Sequence, residues 1–164
     1  MNRHGPHVLV LVEDGANRYI ANGFEQAVDK PRALTIRPPS RGGWKVTNQF
    51  IELEVEELRR YPKRRIVLVI DFDQRPKKWD SFMKRIPADV ADRVYVIGTL
   101  DEPENLRSSL VKQGAIAPNT FEKIGDLIAS DCREGTEQIW GHPHLVHNAS
   151  EVQRMRADLR NILF

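Results

Sequence analysis

The chain has one cysteine, Cys132, in 164 residues, so no internal disulfide can staple the fold and stability has to come from packing. Such sparse cysteine fits a reducing compartment, and a cytoplasmic location is expected. No apolar run approaches the roughly 20 residues of a membrane span, and the opening Met-Asn-Arg-His-Gly-Pro lacks the apolar core of a secretory leader. Aromatic residues make up only 7% of the chain, which leaves the core to branched aliphatics. A dominant charge is also missing. Lys and Arg number 25 against 23 Asp and Glu, a net charge of +2, so any case for a nucleic-acid partner rests on where the charges lie. No internal repeat, low-complexity stretch or linker is evident. The length and the 40% hydrophobic content suit one domain over residues 1–164.

What is present is a set of dense aliphatic runs. Residues Ile66 to Ile70 (Ile-Val-Leu-Val-Ile) carry no polar alternation, as in a strand buried on both faces of a parallel sheet, and they lead straight into Asp71-Phe72-Asp73. His7 to Val12 is a second such run and ends in Glu13-Asp14-Gly15. A helix follows, with Tyr19, Ile20, Gly23, Phe24, Ala27 and Val28 at helical spacing and Asn17 as its expected N-cap. Ala33 to Ile36 reads as a short strand, residues 37–45 as a cationic loop, and Thr47 to Arg60 as a helix. In that helix Phe50, Leu53 and Leu58 are expected inside, with Glu52, Glu54, Glu56 and Glu57 in water. A helix carrying Trp79, Phe82, Met83 and Ile86 precedes a strand over Val94 to Ile97. Pro103 then opens a helix through about Lys112. Capping boxes are expected at Asn119 with Glu122, for a helix over Thr120 to Asp131, and at Ser150 with Gln153 for the last helix. Strand and helix alternate, so the expected fold is α/β. A mostly parallel, Rossmann-like sheet over about 7–115 is flanked by helices and followed by a helical extension over about 116–164.

Acid recurs where strands end: Glu13, then Asp71 with Asp73, then Asp101, Glu102 and Glu104. In a parallel sheet these ends share one edge, where open α/β sheets bind ligands. If the chain stays extended, Asp71 and Asp73 point to one side, roughly 6.6 Å apart. Carboxylates crowded within about 4 Å repel by about 4 kcal/mol per pair at an effective dielectric of ~20, so they either splay into water or share a divalent cation. Oxygen ligands without a Cys or His set point to magnesium or manganese rather than zinc.

This arrangement resembles the Toprim domain, the catalytic fold shared by topoisomerases, primases and OLD-type nucleases. Leu11-Val12-Glu13-Asp14-Gly15 matches the glutamate after the first strand, Val69-Ile70-Asp71-Phe72-Asp73 the Asp-x-Asp pair, and Glu104 the glutamate beyond it. The resemblance covers about Val8 to Ser109. Asp14 stands where a glycine often follows the glutamate, Asn17 where such nucleases often have a second acid, and Glu102 or Pro103 where a serine would precede the last one. The resemblance implies Mg2+- or Mn2+-dependent phosphodiester hydrolysis of nucleic acid. Asp71, Asp73 and Glu104 would hold metal, and Glu13 would share a metal or act as general acid/base. It also implies a possible ATPase protein partner, or a protein that kept the fold and lost the activity. A phosphotransferase of the haloacid dehalogenase type also uses Asp-x-Asp, but places it on its first strand.

Basic segments supply the candidate nucleic-acid contacts. Arg75, Lys77 and Lys78 follow Asp73, and Arg41, Trp44 and Lys45 follow another strand, so both sets reach the acidic edge. Trp44 is suited to stacking on a base while the cations track the backbone. Arg59, Arg60, Lys63, Arg64 and Arg65 precede the central strand and belong to the opposite edge, as a collar. His142, His144 and His147 lie in a polar loop, either structural or folded over the acids as a proton donor.

Overall fold

A computed structural model describes residues 4–164. Four strands, β1 (His7–Val12), β2 (Leu34–Ile36), β3 (Arg64–Val69) and β4 (Val94–Ile97), form one parallel sheet in the order β2-β1-β3-β4. The aliphatic runs are continuous because both faces of this sheet are covered. Alternate residues divide between two cores. Val8, Val10, Val12, Val67, Tyr95 and Ile97 pack toward one side, and Leu9, Leu11, Ile66, Leu68, Val94 and Val96 toward the other.

The first face carries α1 (Gly15–Ala27), α5 (Pro103–Lys112), α6 (Glu122–Glu134) and α7 (Ala149–Leu163). The second carries α2 (Gly43–Gln49), a π-helical turn (Phe50–Glu54), α3 (Val55–Arg60) and α4 (Lys78–Met83). This is an α/β, Rossmann-like architecture with a helical C-terminal part, as the sequence predicts. No helix among the described residues is long and apolar enough to cross a membrane.

The C-terminal helices belong to the core. Helices α1 and α6 touch through backbone at Gly23 and Gly125, where an added Cβ would meet Glu122 O or Ile20 O at 1.9 Å. Helix α7 closes the outer edge of β4, which would otherwise offer unpaired amides to another chain. Glu151 Oε2 accepts from Val96 N at 2.9 Å, and Asn148 Oδ1 accepts from Gly98 N at 3.1 Å. The Asn148 amide in turn donates to Gly98 O at 2.8 Å. Asn148 and Glu151 lie one helical turn apart, so one helix face imitates a neighbouring strand.

Several local expectations are corrected. The helix expected over Thr47 to Arg60 begins at Gly43, so Trp44 and Lys45 are helical, and it contains the π turn. A π turn inserts a residue and shifts the helix phase. Leu53, expected inside, is therefore 59% exposed, while Glu54, expected in water, is buried. The buried Glu54 carboxylate bridges Arg37 and Arg64, each at 2.9 Å. Asp14 rather than Asn17 caps α1, accepting from Asn17 N at 2.9 Å. Neither expected capping box forms: α6 starts at Glu122 after Asn119 takes a φ of 64°, and α7 follows a 3-10 turn over Val146–Asn148 without a side-chain cap. The basic collar is largely neutralised. Arg59 pairs with Asp89 and Glu56, Arg60 with Glu57, Arg64 with Glu54 and Arg65 with Asp158. Cys132 is buried, and burial pushes its thiol up to about 11.

Glu54 gives a direct test of the phase shift. Glu54→Ala removes the shorter of two carboxylate contacts to the nearly inaccessible Arg64 guanidinium, leaving Glu57 at 3.6 Å, and is expected to lower unfolding free energy by about 2 to 3 kcal/mol. Glu52→Ala, at an exposed position, should stay within about 0.5 kcal/mol of the parent. Urea unfolding of both variants measures the contrast.

Candidate functional site at the sheet's carboxyl edge

The connections out of β1 and β3 leave on opposite faces, to α1 and α4, so the strand order reverses between these neighbours. That reversal opens a crevice at their carboxyl ends, the usual ligand position in open α/β sheets. Glu13 follows β1 and Asp71 follows β3, so register brings them together. Asp71 N donates to Glu13 Oε2 at 2.8 Å. Asp71 Oδ1 accepts from Asn17 Nδ2 at 3.1 Å. The Thr99 hydroxyl lies 3.2 Å from Asp71 Oδ1 and 3.0 Å from Asp101 O, and shares its one proton between them. Among the described residues Asp71 Oδ2 and Glu13 Oε1 accept no protein hydrogen bond and remain open for a ligand.

Burial is the main force pushing the Asp71 carboxyl up, to about 7, and the nearby Glu13 and Asp14 charges add to it. The Asn17 and Thr99 hydrogen bonds oppose the shift. Among the described residues no cation contacts the Asp71 carboxylate. Lys78 Nζ instead binds the Asp71 carbonyl at 2.7 Å and Asp73 Oδ2 at 2.6 Å.

Asp71 and Asp73 do not continue as an extended pair. Asp73 and Gln74 take φ values of 49° and 57°, which turns the chain out of the sheet and leaves Asp73 exposed beside Lys78. Glu104 is exposed in the first turn of α5 and makes no hydrogen bond with the described residues. Among the described residues no group of three or more His, Cys, Asp or Glu side chains is disposed to hold a metal ion. Of the four acids expected to act together, Glu13 and Asp71 form the intimate pair, and Asp73 joins Glu13 only as a wall of one cleft.

That cleft, about 840 Å³, is lined by Glu13, Gly43, Trp44, Asp73, Arg75, Pro76, Lys77, Lys78 and Ser81. The segment after β2 delivers its far wall. Ser40 N and Arg41 N bond to Val12 O and Glu13 O at 3.0 and 2.7 Å, running alongside the end of β1. Arg41 at φ 59° and Gly42 at φ 142° then turn into α2, a step that suits glycine at the second position. At Gly43 a Cβ would stand 3.2 Å from Glu13 Oε2 and 3.3 Å from Phe82, so the helix start approaches the acid closely. Arg41 and Lys45 are exposed outside the lining; Trp44, Arg75, Lys77 and Lys78 are within it.

The histidine loop docks on the same edge without entering the cleft. Leu100 N donates to His144 O at 2.8 Å, and the His147 ring sits edge-on to Phe72, with centroids 4.7 Å apart. His142 Nδ1 accepts from His144 N, which places its proton on Nε2, 2.9 Å from Ser109 Oγ. Burial lowers the pKa of both His142 and His147, favouring neutral rings. Thr99 is a site residue that sequence reasoning missed, and Asn17, singled out as a cap and as standing where related nucleases have a second acid, was not expected to hold Asp71. Asn17 carried a signal, because it falls on the apolar stripe of Ile20, Ala21 and Phe24, where a polar side chain needs a partner. Thr99 carried a weaker one, two residues past Ile97 in register with Asp71 past Val69.

The fold and site therefore define an open parallel α/β protein with a carboxylate pair at its switch point. No family model matches the chain, and no curated protein or solved structure matches it either.

Asp71 makes stability pH-dependent. Its folded pKa, near 7, exceeds the ordinary 3.8, so the folded state holds a proton that the unfolded chain releases, and this group's contribution falls as pH rises from about 4 to about 7. Asp71→Asn, which mimics the protonated acid, should be more stable than the parent at pH 8, by at most a few kcal/mol on the order set by such a shift. Well below pH 4 the advantage should disappear. Denaturant midpoints at the two pH values give the comparison.

Proposed function

We propose that the chain is a Toprim-type nuclease, hydrolysing phosphodiester bonds of nucleic acid with Mg2+ or Mn2+ as cofactor. The observation that carries this reading is the pair Glu13 and Asp71 at the switch point: the Glu13 carboxylate takes the Asp71 amide, its charge helps push the Asp71 carboxyl up, and among the described residues no cation contacts the Asp71 carboxylate. Magnesium keeps several waters and takes one or two carboxylates, completing its shell from substrate phosphate. Two carboxylates suit that mode. A zinc cage, or a preformed site using all four acids, does not fit these positions.

When bound, the cation supplies Lewis-acid stabilisation of the phosphoryl oxygens and an activated water. The chain's own groups do the rest. Asn17 and Thr99 fix Asp71 Oδ1, so the remaining oxygen is presented in one orientation. Glu13 is held by the Asp71 amide and can take a proton from an attacking water. Lys78 pins the Asp73 turn and keeps an ammonium at the cleft wall, where negative charge develops during phosphoryl transfer. Arg75 and Lys77 draw the phosphate backbone in. An ATPase protein partner belongs to this reading through the Toprim resemblance. The second reading, an inactive Toprim-like nucleic-acid-binding or regulatory protein, is favoured by the Lys78–Asp73 pair, an internal cation beside the acids, and by Asn17 in place of an acid.

With Mn2+ or Mg2+ the protein is expected to nick DNA or RNA, EDTA to stop it, and Asp71→Asn or Glu13→Gln to reduce the rate by about 100-fold or more. Gel assays on plasmid, linear duplex, single-stranded DNA and RNA read the outcome. A complete lack of cleavage on all of them with both metals overturns the nuclease reading and favours the second one.

A further inference from the structure

The cleft has two unlike walls, and together they select the form of nucleic acid. One wall is cationic: Arg75 and Lys77 are exposed, with no side-chain ion pair among the described residues, and Lys78 stands beside them. The other wall is Trp44, which is 50% exposed. Its indole is not a loose surface group. It rests on the fully buried Phe82 ring at a centroid distance of 4.7 Å and a 33° tilt, and the Arg85 guanidinium lies 5.3 Å from its centroid. Arg85 is anchored in turn by Asn48 Oδ1 at 2.6 Å. An indole fixed by its neighbours yet half open to solvent is unusual as core and well suited as a platform.

The position of that platform matters as much as its chemistry. Trp44 is the next residue after Gly43, whose Cα approaches the Glu13 carboxylate so closely that a Cβ would lie 3.2 Å from it. Trp44 therefore stands beside Glu13 on the wall of a cleft that Arg75 and Lys77 also line, so one bound strand can meet the indole and the cations together. Paired, stacked bases in a duplex cannot present their faces to a side chain. Unpaired bases can, and each such stack adds affinity with little regard to sequence.

We propose that the cleft takes an unpaired nucleotide, its base on Trp44 and its phosphates along Arg75 and Lys77, so that single-stranded nucleic acid is the ligand of this site. The inference rests on reading the cleft as a nucleic-acid site and adds the strandedness that this reading leaves open.

The test is binding without chemistry. Fluorescence anisotropy of the 164-residue chain in EDTA is measured with a labelled single-stranded 12-mer, the same strand in a duplex, and a 12-mer of abasic residues. The parent should bind the single strand at least several-fold more tightly than the duplex. Trp44→Ala should weaken the single strand by about 10-fold or more and leave the abasic strand unchanged, with Trp44→Phe recovering most of the loss. Circular dichroism melting verifies that both variants fold. If Trp44→Ala does not fold, Trp44→Phe and Trp44→Leu carry the comparison, with Leu expected to lose what Phe keeps. Duplex binding as tight as single-strand binding overturns the proposal. So does a Trp44 loss that is equal on the abasic strand or absent altogether. Stacking-dependent binding without cleavage in Mn2+ would retain this inference and remove only the hydrolase. Cleavage indifferent to Trp44 would do the reverse.

Discussion

The amide of Asp71 donates to the carboxylate of Glu13 because two parallel strands end side by side and their connections depart on opposite faces. That arrangement leaves a notch that no helix fills. The chain lines it with two acids, an amide and a hydroxyl. Placing two carboxylates together in a half-dry notch is unfavourable, and the raised pKa of Asp71 records the cost. The remaining features of the site follow from managing that charge. Asn17 reaches in from α1, Thr99 from the end of β4, and Lys78 ties down the turn that removes Asp73 from the pair.

The C-terminal helices contribute to this site indirectly. Asn148 and Glu151 hold the outer edge of β4, and the loop before them clasps Leu100 just beyond Thr99. Helix α6 presses α1 onto the sheet at the glycine contact, and α1 carries Asn17 and is capped by Asp14. These contacts make positional precision at Asp71 a property of the whole chain. Buried hydrogen-bond networks of this kind cost free energy when incomplete and confer a single geometry when complete.

Much of the architecture was legible in the sequence. Unbroken aliphatic runs announce doubly covered parallel strands, and Pro103 marks the start of α5 within the residue observed. The acids after β1 and β3 stood out because each directly follows an unbroken aliphatic run. Legibility failed where a local rule was overridden by packing. The regular helix period placed Leu53 inside and Glu54 outside, and one π turn reversed both. Asn17 was read as a cap by its residue type, whereas Asp14 caps the helix three residues earlier by accepting from the Asn17 amide, and the Asn17 side chain turns inward to Asp71.

Sequence alone determined the fold class, the order of strands and helices, and which acids would share an edge, since these depend on short-range periodicity and on strand direction. Tertiary structure decided which of those acids meet. An aspartate two residues from another looks equivalent on paper, but the left-handed turn at Asp73 sends it to Lys78 while Asp71 stays in the sheet's register, facing partners more than 25 positions away along the chain. Contacts over such separations are fixed by the packing of the two faces, and no local pattern encodes them.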